Sequence, residues 1–204
     1  METISVTDLE VLRKLILELD LPYEVGEVTP PDGSCFLHAI RQNMVYLTSI
    51  DLWNGGYPNN VQKLREDVII YWRSKKDEWT QPQFNQDTGV YEDPILNDEQ
   101  FENLLQDQSR DHSYTDNFGH MVKILCSYLN IELRIVVTQA GNQIQESGVG
   151  GPYLKINQET PTSKRAAVFH VGLLKDQTHF QGHYQFLKQI YDNSSQRPEG
   201  IKFY

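Results

Sequence analysis

Only two cysteines, Cys35 and Cys126, occur in 204 residues. Two are too few to frame a domain of this length with disulfides, and neither has the company that a structural zinc site needs. A reducing compartment is the simplest setting. Basic residues are also scarce: 18 Lys and Arg against 28 Asp and Glu leave a net charge of −10 and a pI near 5.0. That balance offers no basic stripe to neutralise phosphates, which excludes a nucleic-acid surface. Long apolar runs are missing as well. The longest, Ala166 to Leu174, is too short to cross a bilayer and contains His170. The start, Met-Glu-Thr-Ile-Ser, lacks the basic and apolar stretches of a secretory signal. No internal repeat or low-complexity tract breaks the chain, and nothing in its composition asks for a metal or another cofactor.

What is present is the material of an ordinary globular domain, with 11 Tyr, 8 Phe and 3 Trp to fill a core and line a groove. Thr7 and Glu10 have capping-box spacing, and Leu9, Leu12, Ile16 and Leu19 follow at helical intervals, predicting a helix over about 8–20 that Pro22 ends. Tyr23 to Val28 reads as a short strand. A helix is expected from Cys35, a long one from an Asn60 cap to about Trp79, another from Asn97 with Gln100, and a fourth near Phe118. Residues 80–97 read as irregular. Ile131–Val137, Tyr153–Ile156, Ala166–Leu174 and His183–Ile190 read as strands, with a glycine-containing turn region over 139–151 and a polar tail from Asp192. Helices first and strands mostly late predict an α+β domain or a three-layer α/β/α arrangement.

Cys126 lies among Val122, Ile124, Leu125 and Leu129 and reads as core packing. Cys35 is placed otherwise. Pro30-Pro31-Asp32-Gly33-Ser34 must turn, and the helix then opens on the cysteine. The first amides of a helix have no intrahelical partner and favour negative charge, so a lowered thiol pKa is expected there. The same amides suit the oxyanion of a tetrahedral intermediate. Gly33 lets backbone approach a substrate, and Asp32 is suited to tying the loop through local N–H groups.

A nucleophilic cysteine needs an imidazole. Of six histidines, His38, His112, His120 and His170 fall in helices, helix starts or an apolar strand and read as structural or surface groups. The run His179-Phe180-Gln181-Gly182-His183-Tyr184-Gln185-Phe186-Leu187 offers two His-aromatic pairs. A zinc-peptidase reading of this spacing fails because Phe180 stands where Glu is required and no third ligand is evident.

The run Asp32-Gly33-Ser34-Cys35-Phe36-Leu37-His38-Ala39-Ile40 resembles the cysteine box of the ovarian-tumour (OTU) family of cysteine peptidases: Asp-Gly, a variable residue, Cys, two apolar or aromatic residues, a polar or basic one, then a small one. The family's base follows a late buried strand and a short loop, and begins a His-aromatic pair opening the last strand. His183-Tyr184 fits that place best, with His179-Phe180 as the alternative. The family often has Asp or Asn two residues after this histidine; here it is glutamine in either register, Gln185 or Gln181. Gln185 is therefore a candidate orienting residue that supplies no charge; the alternatives are an acid from elsewhere in the chain or a Cys–His dyad. Asp116-Asn117-Phe118-Gly119 before a helix and strand is similar to another family segment, with Phe118 where Trp is usual. The resemblance covers about residues 25–190 and is specific in two short boxes.

The resemblance implies the OTU three-layer fold and deubiquitinase activity, with Cys35 as nucleophile, His183 as base and Asp32 in the catalytic loop, and ubiquitin or polyubiquitin as partner. It also leaves two alternatives: a module that binds ubiquitin without cutting it, and a cysteine hydrolase of a ubiquitin-like modifier. Asp87, Glu92, Asp93, Asp98, Glu99, Glu102, Asp107 and Asp111 face only Arg110 in charge, so this stretch suits a partner with basic residues around an apolar patch, or is simply a solvated acidic face. Divergence outside the boxes is in keeping with a viral protein or bacterial effector acting in a host cytosol.

Overall fold

In the computed structural model, residues 6–18, 20–108, 118–139, 143–144, 153–156, 167–175 and 183–190 are described. Expectations placed on His112, Asp116-Asn117, His179, Gln181 and the tail from Asp192 lie outside these residues. The elements run α1 (Val6–Glu18), β1 (Tyr23–Val25), α2 (Cys35–Ser49), α3 (Val61–Ser74), α4 (Lys76–Thr80), β2 (Gln83–Asn85), β3 (Val90–Glu92) and α5 (Asp98–Gln108). They continue with α6 (Phe118–Leu129), β4 (Ile131–Gln139), β5 (Gln143–Ile144), β6 (Tyr153–Ile156), β7 (Ala167–Lys175) and β8 (His183–Gln189).

Six strands form the central sheet in the order β1-β8-β7-β4-β5, with β6 also pairing β4. β4 and β7 are parallel, Ile131 opposite Ala167 through Gln139 opposite Lys175. The other described pairings are antiparallel. Period-two alternation divides the side chains between two cores. Ile131, Leu133, Ile135, Phe169, Val171, Leu173, Tyr184 and Phe186 join one cluster with α2, α3, α5 and α6. Val136, Leu174 and Leu187 face the other way, onto Leu9, Leu12, Leu15 and Ile16 of α1. Gly172 belongs to this second face, where a Cβ would come within 2.9 Å of Leu12. The fold is therefore α+β, with a small central sheet and helices on both sides.

Local capping explains several helix starts. Asn60 accepts from the Lys63 amide at 2.9 Å and opens α3. Asn97 and Gln100 cap α5 reciprocally, at 2.8 and 2.9 Å. Two expectations fail. The helix from Asn60 does not run unbroken to Trp79: the Lys75 amide bonds back to Trp72 O at 2.9 Å, tightening the last turn, and α4 restarts at Lys76. The restart sets Trp79 edge-on to Trp72, ring centroids 6.3 Å apart. Nor is 80–97 irregular, since β2 and β3 form a hairpin. Asn85 Oδ1 accepts from the amides of Asp87 and Thr88, and Gly89, at φ +70°, donates to Asn85 O. The strands are three residues each and exposed, so no inward-facing alternation betrays them.

Candidate active site

The turn before α2 is held from three directions. Asp32 Oδ1 accepts from the Ser34 amide at 2.9 Å, and Asp32 O accepts from the Cys35 amide at 3.1 Å. The other carboxylate oxygen, Oδ2, lies 2.9 Å from His38 Nε2, one turn into the same helix. From α3, Arg65 donates to Ser34 Oγ at 2.6 Å. Arg65 is only 4% exposed, so its guanidinium is part of the interior beside the loop.

Cys35 is the first residue of α2 and is buried. Its Sγ accepts a hydrogen bond from the Tyr184 amide of β8 at 3.4 Å. Tyr184 is fully buried, its ring edge-on to Phe36 at 4.7 Å. This backbone contact brings the start of β8 to the thiol. The Cα of His183 is ~2.4 Å from that amide nitrogen by covalent geometry.

The thiol is not acidified as its helix position suggests. Burial pushes the Cys35 pKa up to about 11, and the negative Asp32 adds to that; amides of Tyr184, Phe36 and Cys35 itself pull in the opposite direction and are outweighed. The expected lowering by the helix start is therefore overturned in net sign, because desolvation by burial in the core that Cys35 shares with Phe36 and Tyr184 exceeds what the amides return. Cys126 is fully buried in the core, as its apolar surroundings imply, and its thiol is likewise pushed up by burial.

Gln185 is also fully buried. Its Oε1 accepts from Thr29 N at 3.0 Å, while Nε2 donates to Glu27 O at 2.9 Å and Phe186 O at 3.0 Å. Those bonds fasten the segment before the cysteine loop to β8. Among the described residues, Thr29 N is the donor to Gln185 Oε1, an oxygen with two lone pairs. Thr29 adds a bond from the Phe186 amide at 2.9 Å and donates to Gln42 of α2 at 2.7 Å. Asn43, one turn past Ala39, bonds both to His170 O and to the His170 amide at 3.0 Å, locking α2 onto β7.

The sequence-predicted residues Asp32 and Cys35 thus lie in the turn before α2 and at its first position, and His183 and Gln185 on the adjoining β8. His179 lies outside the described residues. Thr29, Asn43, Arg65 and the Tyr184 amide were not foreseen, because their partners are distant in sequence. Among the described residues, no group of three or more His, Cys, Asp and Glu is placed to hold a metal ion.

A solved OTU deubiquitinase from Wolbachia pipientis wMel, bound to ubiquitin, is similar in structure at TM-score 0.47 and 18% identity, over 83% of this chain and 97% of that one. Another solved structure of an OTU deubiquitinase from Wolbachia pipientis wMel gives TM-score 0.46 and 16% identity, over 83% and 90%. The viral OTU domain protease from Dera Ghazi Khan virus gives 0.44 and 13%, over 83% and 82%. No curated protein matches in sequence. The family described as OTU-like cysteine protease matches residues 30–180, a span that starts at the proline pair before Cys35, takes in His179 and stops short of His183. A match over that much of the chain settles its kinship: the protein belongs to the OTU-like cysteine protease family.

Proposed function

We propose that the protein is a deubiquitinase that hydrolyses the isopeptide bond after the C-terminal Gly-Gly of ubiquitin, with Cys35 as nucleophile and His183 as base. The observation that carries this reading is the 3.4 Å contact between Cys35 Sγ and the amide next to His183. With the resting thiol protonated, a base must take its proton as substrate arrives. His183 accepts that proton, and the thiolate attacks the carbonyl carbon of the terminal glycine. The tetrahedral intermediate collapses as imidazolium protonates the departing lysine amine. Water, deprotonated by the same imidazole, then hydrolyses the thioester and restores the thiol. An oxyanion received by the Cys35 amide has to displace the Asp32 carbonyl from it.

One observation favours a second reading of the base: the family match includes His179 and ends before His183. Replacing each histidine by Ala separates the two, because loss of the base lowers kcat by roughly 10²–10⁴-fold. A loss confined to His179→Ala moves the role to that residue. The reaction itself is tested with an electrophilic ubiquitin probe and mass spectrometry. An adduct on Cys35, absent in Cys35→Ala, supports the isopeptidase. Binding without adduct supports a non-cleaving ubiquitin module, and reaction only with a ubiquitin-like modifier supports the other hydrolase.

A further inference from the structure

We propose that the β2–β3 hairpin is a docking surface for the globular body of ubiquitin, with Phe84 and Tyr91 as its apolar anchor; this rests on the reading of the site as a deubiquitinase. Among the described residues, the hairpin is a sheet of its own, paired to no other strand. Phe84 is 53% and Tyr91 72% exposed; Val90, on the hairpin's other face, and Ile95, after β3 in the chain, are 56% and 55% exposed. Phe84 and Tyr91 are direct cross-strand partners, their rings edge-on at 5.2 Å, so they form one continuous apolar patch. Single exposed apolar residues are common on proteins, but an exposed cluster on a projecting element marks an interaction surface.

The hairpin is also preorganised. An isolated two-stranded hairpin is marginal in water, and here the turn is tied by Asn85 and Gly89. On the face opposite the rings, Asn85 bonds Glu92 at 2.6 Å. Tyr and Phe anchors on such a frame lose little conformational freedom on binding. Both ends are fixed to the body: the Leu96 amide donates to Trp79 O at 3.0 Å, and Trp79 packs on Trp72 in the last turn of α3.

Charge selects the occupant. No Lys or Arg occurs between Lys76 and Arg110. Lys76 pairs with Asp98 and Glu102, at 3.2 and 3.4 Å, and Asp87 in the hairpin turn, Asp93 directly after β3 and Glu99 at the start of α5 are exposed carboxylates. Such an excess of carboxylates repels phosphates, anionic lipid surfaces and a second copy of this acidic chain. It complements an apolar protein patch rimmed by basic groups, the chemistry ubiquitin presents. Geometry is in keeping with this. α3 links the two places: Arg65 holds the cysteine loop, and the hairpin is rooted at the helix's other end, ~14 Å along the axis. An extended tail of about six residues spans ~20 Å, enough to reach Cys35 from a body docked there.

The test compares wild type with a Phe84→Ser/Tyr91→Ser double variant and an Asp87→Lys/Asp93→Lys variant, all at exposed positions. The substrates are a ubiquitin–coumarin amide and a short peptide–coumarin amide ending in Gly-Gly. The aromatic variant is expected to raise KM for the ubiquitin substrate at least about tenfold, leaving kcat and peptide hydrolysis within about twofold. The charge variant is expected to raise KM and flatten its salt dependence. An unchanged KM in the aromatic variant, with wild type active on ubiquitin, overturns the docking surface and leaves the deubiquitinase reading standing. If wild type cleaves neither substrate, that reading fails, and titration with ubiquitin decides docking alone. Binding weakened about tenfold or more by the aromatic change then supports the surface; equal binding, or none, overturns it.

Discussion

The imidazole of His38 and the carboxylate of Asp32 meet at 2.9 Å across the first turn of α2. Asp32 spends its other carboxylate oxygen on the Ser34 amide and its carbonyl on the Cys35 amide, so His38 steadies the group that shapes the cysteine loop. Removing it with His38→Ala is expected to lower kcat by roughly 10–100-fold, the equivalent of one charge-assisted hydrogen bond. His38→Gln places an amide donor near the Nε2 position and is expected to recover most of that loss. Steady-state kinetics on the ubiquitin–coumarin substrate decide the matter; equal activity in all three proteins counts against a positioning role.

Cys35 should behave as a protonated thiol in the resting protein. With its pKa raised to about 11, thiolate at neutral pH is only about one part in 10⁴. Iodoacetamide alkylation of Cys35 is therefore expected to be slow near pH 7 and to climb about tenfold per pH unit through pH 8–10. Cys126, fully buried with its thiol also pushed up, stays unlabelled while the fold is intact. Peptide mapping of the labelled protein follows both sites. A rate already at its plateau near pH 7 means that a partner ionises the thiol before substrate arrives.

Gln185 offers a stability test that separates fastening from catalysis. Gln185→Ala leaves the buried Thr29 N–H without its bond, while Glu27 O, in an exposed residue, keeps a bond from Gln42 Nε2 at 3.4 Å. At about 1–3 kcal/mol for that one stranded group, the loss is about 2–12 °C in Tm. Thermal unfolding by circular dichroism measures it. A stable variant with altered kcat and pH profile points instead to the imidazole-orienting role expected from the sequence.

These contacts show where sequence reading stops. The Asn60 and Asn97–Gln100 caps are legible because donor and acceptor lie three residues apart. β4, β7 and β8 are legible as apolar, β-branched or aromatic runs. Cys35 at a turn-to-helix junction is equally local. Its pKa is not, since burial in the folded core raises it against the pull of the Tyr184 amide, 149 residues away. Arg65 reads as one more charged residue on an amphipathic helix until α3 is placed against Ser34. The β2–β3 hairpin escapes notice for the opposite reason: it buries almost nothing, so neither face leaves a pattern.

His170 gives the fold a defined acid sensitivity. Its ring is buried against Tyr23 at 4.7 Å, and its pKa is lowered from 6.5 to about 3, chiefly by burial, next by the charge of Arg134, with Gln189 acting weakly in the opposite sense. Glu132, which bonds Arg134 at 2.6 Å, is the carboxylate on that face of β4. Because the folded pKa lies below the unfolded one, the unfolded chain binds the extra proton between these two values. The stability from keeping His170 neutral is complete above about pH 6.5 and is lost progressively as pH falls toward 3. At pH 5 the loss from this residue is about 2 kcal/mol. His170→Phe keeps a ring against Tyr23 and leaves the backbone bonds to Asn43 in place. Urea unfolding at about pH 7.5 and pH 5 is expected to show a smaller drop for the variant than for wild type, by about that amount. Equal drops mean that His170 takes up its proton without unfolding, through a rearrangement that brings Glu132 or water to the ring.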